Sequence, residues 1–282
     1  MDIGICTTDF SAQPVEALFA KIAGYGFSQV QLDFASIGEE EMPARIEPGL
    51  IERILCAARE NHLELVAVNG TFNIIDLDQS VREQGIERFE VLARACCDLG
   101  CPILTLCTGT RSSETMWSWH PDNDSELAWQ DMMRSMRSLM AIAERYQIIL
   151  GIETEAANVI STPERARRLM DAFASPLLKV ILDGANLFHR NTAFPENVQP
   201  TLKHAFDVLG QDIILAHGKD IAHSAEIRFA APGMGIIDFD YFLQLLKTYG
   251  YKDGMILHGI EDEADIPFCI AMIRAKIAAS GL

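Results

Sequence analysis

The sequence predicts a barrel of eight β/α units, and three observations support this fold class. Short apolar runs alternate along the whole chain with longer segments of helical period, as in parallel strands joined by helices. The 282 residues slightly exceed the length of about 250 that is typical of a (β/α)8 barrel. No Gly/Ser-rich linker or charge block interrupts the alternation. Residues 1–282 are therefore expected to form one domain.

Eight strands are predicted in chain order, each from an apolar run bounded by turn residues. They lie at 3–6, 29–32, 63–68, 103–107, 148–152, 180–182, 213–216 and 255–257. Helical segments separate them. Thr162 and Pro163 indicate a helix start, since a capping hydroxyl precedes a proline at the first helical position. Gly100 indicates a helix end in the left-handed region.

Composition excludes several classes of partner. The net charge of -17, from 40 acidic and 23 basic residues, disfavours nucleic acid, whose binding depends on Lys and Arg neutralising phosphates. Seven scattered cysteines, an odd number without a CxxC pair, indicate a reducing compartment. The first residues lack a signal peptide pattern, and no run approaches ~18 apolar residues. A cytoplasmic protein without a membrane partner is expected.

Four of the apolar runs end in side chains that can bind metal. Glu153, Asp183, His217 and His258 each follow a predicted strand. The carboxyl ends of parallel strands meet at one face of a barrel, so these residues are expected to converge. Two carboxylates and two imidazoles suit one divalent ion, Mn, Co, Mg or Zn, with its identity open. His217 is expected to be oriented by Asp220 or by a main-chain carbonyl.

Two long connections follow strands and should therefore border a substrate pocket. The first, 108–127, carries Arg111 and Trp117, and the second, 218–237, carries Lys219 and Arg228. The three cations would make a locally positive mouth, and Trp117 could stack on an apolar face of a ligand or pack on the rim. Main-chain amides of 107–111 could meet a phosphate, although an ordinary tight turn also explains that segment. Glu155 is either a substrate contact or a simple loop acid.

The chain resembles the xylose isomerase-like TIM barrels, a family (also called the AP endonuclease family 2 superfamily) that includes sugar and sugar-phosphate isomerases and epimerases and endonuclease IV. The resemblance covers essentially the whole chain and is most specific in four segments: GIE at 151–153, DGAN at 183–186, LAHGKD at 215–220 and PGMGIIDF at 232–239. In the family a Glu, an Asp, a His and a second Glu hold one divalent metal. The resemblance thus implies Glu153, Asp183 and His217 as ligands.

Two positions depart from the family pattern. His258 stands where the family usually has the fourth ligand, a Glu, and Glu261 three residues later is the alternative for that role. Asn186 stands where many sugar epimerases of the family have His. The family mechanism implies that the metal polarises a carbonyl, that Glu153 removes the neighbouring proton through an enediolate, and that His258 shuttles a proton. Asn186 is retained as a substrate contact.

The expected function is that of a metal-dependent isomerase or epimerase of a small polyhydroxylated carbonyl compound, a sugar or a sugar phosphate. A dehydratase or other lyase of the same fold is the nearest alternative, and a non-catalytic sugar-binding barrel is another. A phosphodiesterase is disfavoured because the first four strands end near Cys6, Asp33, Asn69 and Cys107, without a His. A homo-oligomer is compatible with the sequence, which does not define its size.

Overall fold

Eight parallel strands form a closed barrel in the computed structural model, which describes residues 1–281. Two further short strands, β8 and β9, form an antiparallel hairpin in the loop after β7. The strands are β1 Ile3–Cys6, β2 Gln29–Leu32, β3 Glu64–Asn69, β4 Ile103–Leu106, β5 Ile149–Glu153, β6 Leu178–Asp183, β7 Ile213–Gly218, β8 Asp220–Ile221, β9 Phe229–Ala230 and β10 Met255–Leu257.

Among the described residues 1–281, eight α-helices cover the outside of the barrel, one after each barrel strand. They are α1 Val15–Gly24, α2 Pro48–Glu60, α3 Gln79–Leu99, α4 Glu126–Tyr146, α5 Pro163–Phe173, α6 Pro195–Leu209, α7 Phe239–Thr248 and α8 Ile266–Ser280. α5 begins as predicted, because the Thr162 hydroxyl accepts the amide of Arg165 and Pro163 opens the first turn. α3 ends at Gly100, whose φ of 66° few other residues adopt without strain.

The barrel order is β1-β10-β7-β6-β5-β4-β3-β2, and β1 closes it by pairing with both β2 and β10. The predicted fold class is therefore confirmed. Four strands, β3, β5, β6 and β7, end later than predicted, and in the last three this places Glu153, Asp183 and His217 within the strand rather than after it. The ladder itself explains this, because Glu153 still pairs with Ile181 and Asp183 with His217.

The lumen of the barrel is filled by a compact apolar group, separate from the larger core between sheet and helices. Ile181 precedes Asp183 by two positions and Leu215 precedes His217 by two, so these apolar residues share the inward face with the polar ones. The group, called here the lumen plug, comprises Cys6, Ala67, Ile103, Ile181, Leu215 and Ile256. It forms the floor beneath the polar residues.

Within the described part of the chain, every helix is too short or too polar to cross a lipid bilayer.

Candidate metal centre

Three polar side chains from adjacent strands meet above the lumen plug. Glu153, Asp183 and His217 each offer a ligand atom, and these atoms all lie within 4.8 Å of one another. Asp183 is fully buried and His217 is 2% exposed. β5, β6 and β7 are neighbours in the barrel, so successive strand ends bring the three residues together.

Gln31 of β2 orients the imidazole of His217 from across the lumen. Its Oε1 lies 2.9 Å from Nε2 of His217, so the carboxamide oxygen accepts the Nε2 proton. The other nitrogen, Nδ1, then faces Oε1 of Glu153 at 3.4 Å and Oδ2 of Asp183 at 4.0 Å. Burial lowers the pKa of His217, but the two carboxylates outweigh it and the net shift is upward.

Asp220, expected to orient His217, has a different role. Its carboxylate accepts hydrogen bonds from four backbone amides, three of them in the glycine-rich loop at 233–237. The prediction for Asp220 was therefore wrong. Gln31 was missed because a glutamine inside a short strand carries no signal of its own, and its partner is 186 positions away.

The donor set fits a divalent cation. Asp183 Oδ2 and His217 Nδ1 are buried and lack a hydrogen-bond partner among the residues described. Lys219 Nζ is 3.3 Å from this Oδ2 and forms an ion pair without hydrogen-bond geometry. Two buried acceptors aimed at one point are costly unless a cation lies between them. Two carboxylates and one imidazole suit Mn, Co, Zn or Fe(II).

Of the two candidates for a fourth ligand, His258 lies beside this group. His258 follows β10, and its ring centre is 5.9 Å from that of His217. Its Nδ1 is 3.2 Å from Oδ1 of Asp9, which leaves Nε2 as the nitrogen available to the adjoining cavity. Glu261 is exposed in the following loop. The choice of His258 as fourth ligand stays a prediction.

Two glutamates beside the centre have opposite electrostatic environments. Burial raises the pKa of Glu155 to about 7, against the opposing charge of Lys219. Burial tends to raise the pKa of Glu153 as well. The positive charges of His217 and Lys219 together have the larger effect, and the pKa of Glu153 is lowered. Asn186 donates from Nδ2 to Oε1 of Glu153 at 2.7 Å and so fixes that carboxylate.

A cavity of about 1080 Å³ opens above these residues. Its polar wall contains Glu153, Glu155, Asn186, Lys219 and His258. Its apolar wall comes from the two long loops and contains Trp117, Trp119, Ile227 and Phe229. Trp117 is 54% exposed, so much of its side chain is accessible to a ligand in the cavity.

Two arginines expected at the mouth lie elsewhere. Arg111 is 6% exposed, donates to the carbonyl of Ile75 at 2.8 Å and forms an ion pair with Asp131 of α4. Arg228 is exposed in the β8–β9 hairpin, outside the residues that line the cavity. The guanidinium of Arg111 is buried because these acceptors satisfy it. Its charge therefore stabilises the loop and is not available to a ligand. Its partner Asp131 lies 20 positions away on α4 and carries no motif that would have indicated the pairing.

We expect Gln31→Leu to weaken metal binding by about 10- to 100-fold, because the variant leaves the His217 ring without its orienting acceptor. The affinity for Mn²⁺ can be measured by calorimetry. Gln29→Leu is the matched control, since Gln29 lies on the same strand but bonds Glu64 at the opposite end of the barrel. Equal affinities of the two variants would contradict the role assigned to Gln31.

A model of the xylose isomerase-like TIM barrel family matches residues 19–277. Among curated proteins, L-ribulose-5-phosphate 3-epimerase UlaE of Shigella flexneri serotype 5b (strain 8401) is 20% identical over 274 residues, which are 93% of this chain and 89% of the relative.

Two solved structures illustrate the likeness of fold. A D-tagatose 3-epimerase-like protein superposes with a TM-score of 0.78 at 19% identity, over 100% of this chain and 98% of its own. The IOLI protein, described with a bound zinc atom, has a TM-score of 0.72 at 16% identity, over 100% of this chain and 98% of its own. At these identities the likeness concerns the fold.

Proposed function

Because the chain belongs to the xylose isomerase-like TIM barrel family, we propose that it is a metal-dependent isomerase or epimerase of a small sugar-like carbonyl compound. One observation carries the proposal. Glu153 lines a large cavity and converges with the buried Asp183 and His217, and two of the buried ligand atoms lack a hydrogen-bond partner among residues 1–281. That one curated relative, L-ribulose-5-phosphate 3-epimerase UlaE, is an epimerase of a sugar phosphate supports the reaction class.

Glu153, Asp183 and His217 would hold the metal, with His258 proposed as the fourth residue at the centre. When bound, a divalent cation supplies the positive charge that polarises a carbonyl and a neighbouring hydroxyl oxygen. Mn, Co, Zn and Mg are all candidates, because a mixed oxygen and nitrogen donor set accepts each of them.

Glu153 is the proposed base. Its lowered pKa keeps the carboxylate ionised, and Asn186 holds one of its oxygens. The second oxygen lies 3.9 Å from the Cys107 thiol, whose pKa is raised by burial, so the thiol does not compete as an ionised base. An ionised carboxylate at the cavity wall can accept the proton from the carbon next to a substrate carbonyl.

His258 is proposed to carry the returning proton. Asp9 accepts from Nδ1 and therefore fixes both the tautomer and the ring orientation, so Nε2 is the nitrogen that faces a ligand. In the proton-transfer role Nε2 exchanges a proton with the ligand, and in the alternative role it binds the metal as the fourth ligand; the two roles exclude each other. Asp9 is a positioning residue in this scheme, because it acts through His258. Glu155, Asn186, Lys219 and Trp117 border the same cavity and are the proposed substrate contacts.

Proton exchange with solvent tests the proposal. The protein loaded with Mn²⁺ is incubated with a panel of ketoses in D₂O, and deuterium incorporation next to the carbonyl is followed by NMR. We expect incorporation without loss of water, and we expect Glu153→Gln to slow it by on the order of 10³-fold, since the variant lacks the base. Release of water would indicate a lyase instead. Binding of ketoses without any exchange would indicate a sugar-binding barrel.

A further inference from the structure

We propose that this site takes an uncharged sugar and discriminates against phosphorylated sugars; the inference rests on the proposed function and defines its substrate class. Barrels commonly bind phosphate through backbone amides of the loops after the seventh and eighth barrel strands, and Arg or Lys side chains add to such sites. In this protein the corresponding donors are occupied by the chain's own side chains.

The loop after β7 has its amides filled by one carboxylate. Asp220 Oδ1 accepts from the amides of Ile221 at 2.8 Å and Ile237 at 2.9 Å. Asp220 Oδ2 accepts from those of Gly233 at 3.0 Å and Gly235 at 2.9 Å. An added Cβ at Gly235 would lie 2.3 Å from Asp220 Oδ1, so the carboxylate is packed directly against this turn. These amides are already bonded to an internal anion.

The loop after β10, the eighth barrel strand, is filled in the same way. Asp9 accepts from the amides of Gly259 and Ile260, each at 3.2 Å, in addition to Nδ1 of His258. The carboxylate comes from the far end of the sequence and takes the place that a ligand phosphate would need. Both loops that usually provide a phosphate site are thus neutralised internally.

A third group of amides follows β4, in the segment that the sequence suggested for phosphate. Three consecutive amides there each donate to a different asparagine side chain. The bonds are Gly109 to Asn158 at 2.6 Å, Thr110 to Asn73 at 3.1 Å, and Arg111 to Asn123 at 2.7 Å. The segment is therefore a turn whose backbone N–H groups are already hydrogen-bonded within the protein.

The cationic side chains of the cavity wall are paired as well. Lys219 Nζ lies 3.3 Å from Asp183 and 3.9 Å from the centre of the Phe229 ring. Arg190 Nη2 lies 2.6 Å from Oε1 of Glu226. The described wall carries five acidic side chains, Glu114, Asp124, Glu153, Glu155 and Glu226, against two cationic ones, Lys219 and Arg190. Away from the proposed metal, a phosphate dianion would meet repulsion there, whereas sugar hydroxyls would meet acceptors and aromatic faces.

Matched substrate pairs test the inference. A panel of neutral ketohexoses and their 6-phosphates is given to the Mn²⁺-loaded protein, and kcat/KM for deuterium exchange is measured by NMR. We expect a neutral sugar to be preferred over its phosphate by at least about 10-fold. A phosphate that reacts as fast or faster would overturn the inference while leaving the proposed function intact.

Binding provides a second readout that does not need turnover. If no sugar incorporates deuterium, the proposed function fails. The inference is then decided separately by adding each sugar or sugar phosphate of the same pairs and following the tryptophan fluorescence of the protein. Trp117 and Trp119 border the cavity and report on its occupancy. Tighter binding of the neutral member by at least about 10-fold is expected, and equal or tighter binding of the phosphate would overturn the inference.

A pair of charge variants tests the electrostatic cause. Glu226→Gln frees Arg190 at the cavity, whereas Glu164→Gln removes an acid that pairs with His204 outside it. Because Glu226 is exposed, a moderate effect is expected: about 3-fold stronger inhibition by inorganic phosphate in Glu226→Gln than in Glu164→Gln. Equal inhibition of the two variants would overturn the assignment of the discrimination to cavity charge.

Discussion

Asp183→Asn is expected to abolish stoichiometric metal binding and to lower turnover by on the order of 10³-fold or more. The substitution keeps the bond from the Ala185 amide to Oδ1, so local backbone structure is preserved. It replaces Oδ2, the buried oxygen aimed at His217 and Glu153, by an amide NH₂ that cannot bind a cation. The loss should exceed the 10- to 100-fold expected for Gln31, which does not itself contact the metal.

Elemental analysis of protein purified without chelator measures this effect. Asp33→Asn is the matched control, because Asp33 is also buried after a barrel strand and accepts the amide two residues further on at 2.8 Å, but lies outside the triad. We expect near-stoichiometric metal in the wild type and the control and almost none in Asp183→Asn. Metal retained in Asp183→Asn would refute the proposed centre, and metal absent from all three would favour a sugar-binding barrel.

Asp220→Asn is expected to destabilise the protein by about 3 kcal/mol, which is large against a total stability of roughly 5–15 kcal/mol. An amide side chain can accept from two of the four backbone amides, but its NH₂ group then faces the other two. Two charge-assisted bonds are lost and two N–H groups are left without an acceptor.

Urea unfolding followed by circular dichroism measures the change. Asp238→Asn is the control, since Asp238 caps α7 by accepting one backbone amide, that of Tyr241, besides a hydrogen bond from the exposed side chain of Gln199 at 2.8 Å, and about 1 kcal/mol is expected there. Similar losses in the two variants would contradict the view that Asp220 organises the whole loop at 233–237.

The sequence was sufficient to predict the barrel and the convergence of Glu153, Asp183 and His217 at one end of it. Apolar runs of strand length recur with helical segments between them, which indicates the barrel. In a closed parallel barrel the catalytic and ligand-binding side chains lie at the carboxyl ends of the strands. Glu153, Asp183 and His217 follow from that rule alone, because β5, β6 and β7 are consecutive in sequence and adjacent in space.

The partners of these residues could not be predicted, because they depend on contacts across the lumen and between loops. Gln31 reaches His217 from a strand on the other side of the barrel, and Asp9 reaches His258 over 249 positions of sequence. The buried position of Arg111 depends on its ion pair with Asp131 of α4. Strand order alone does not fix such side-chain directions, since they depend on register, shear and packing together.

The contact between Gln31 and His217 also links metal retention to the order in which the chain is assembled. Glu153, Asp183 and His217 all belong to the C-terminal half, whereas Gln31 arrives with the N-terminal strands. A partly folded chain that has built only β5 to β7 would hold the three ligands without the group that orients the imidazole. Tight metal binding then requires the closed barrel. Protein that retains its metal through purification is therefore protein in which the N-terminal and C-terminal halves have assembled.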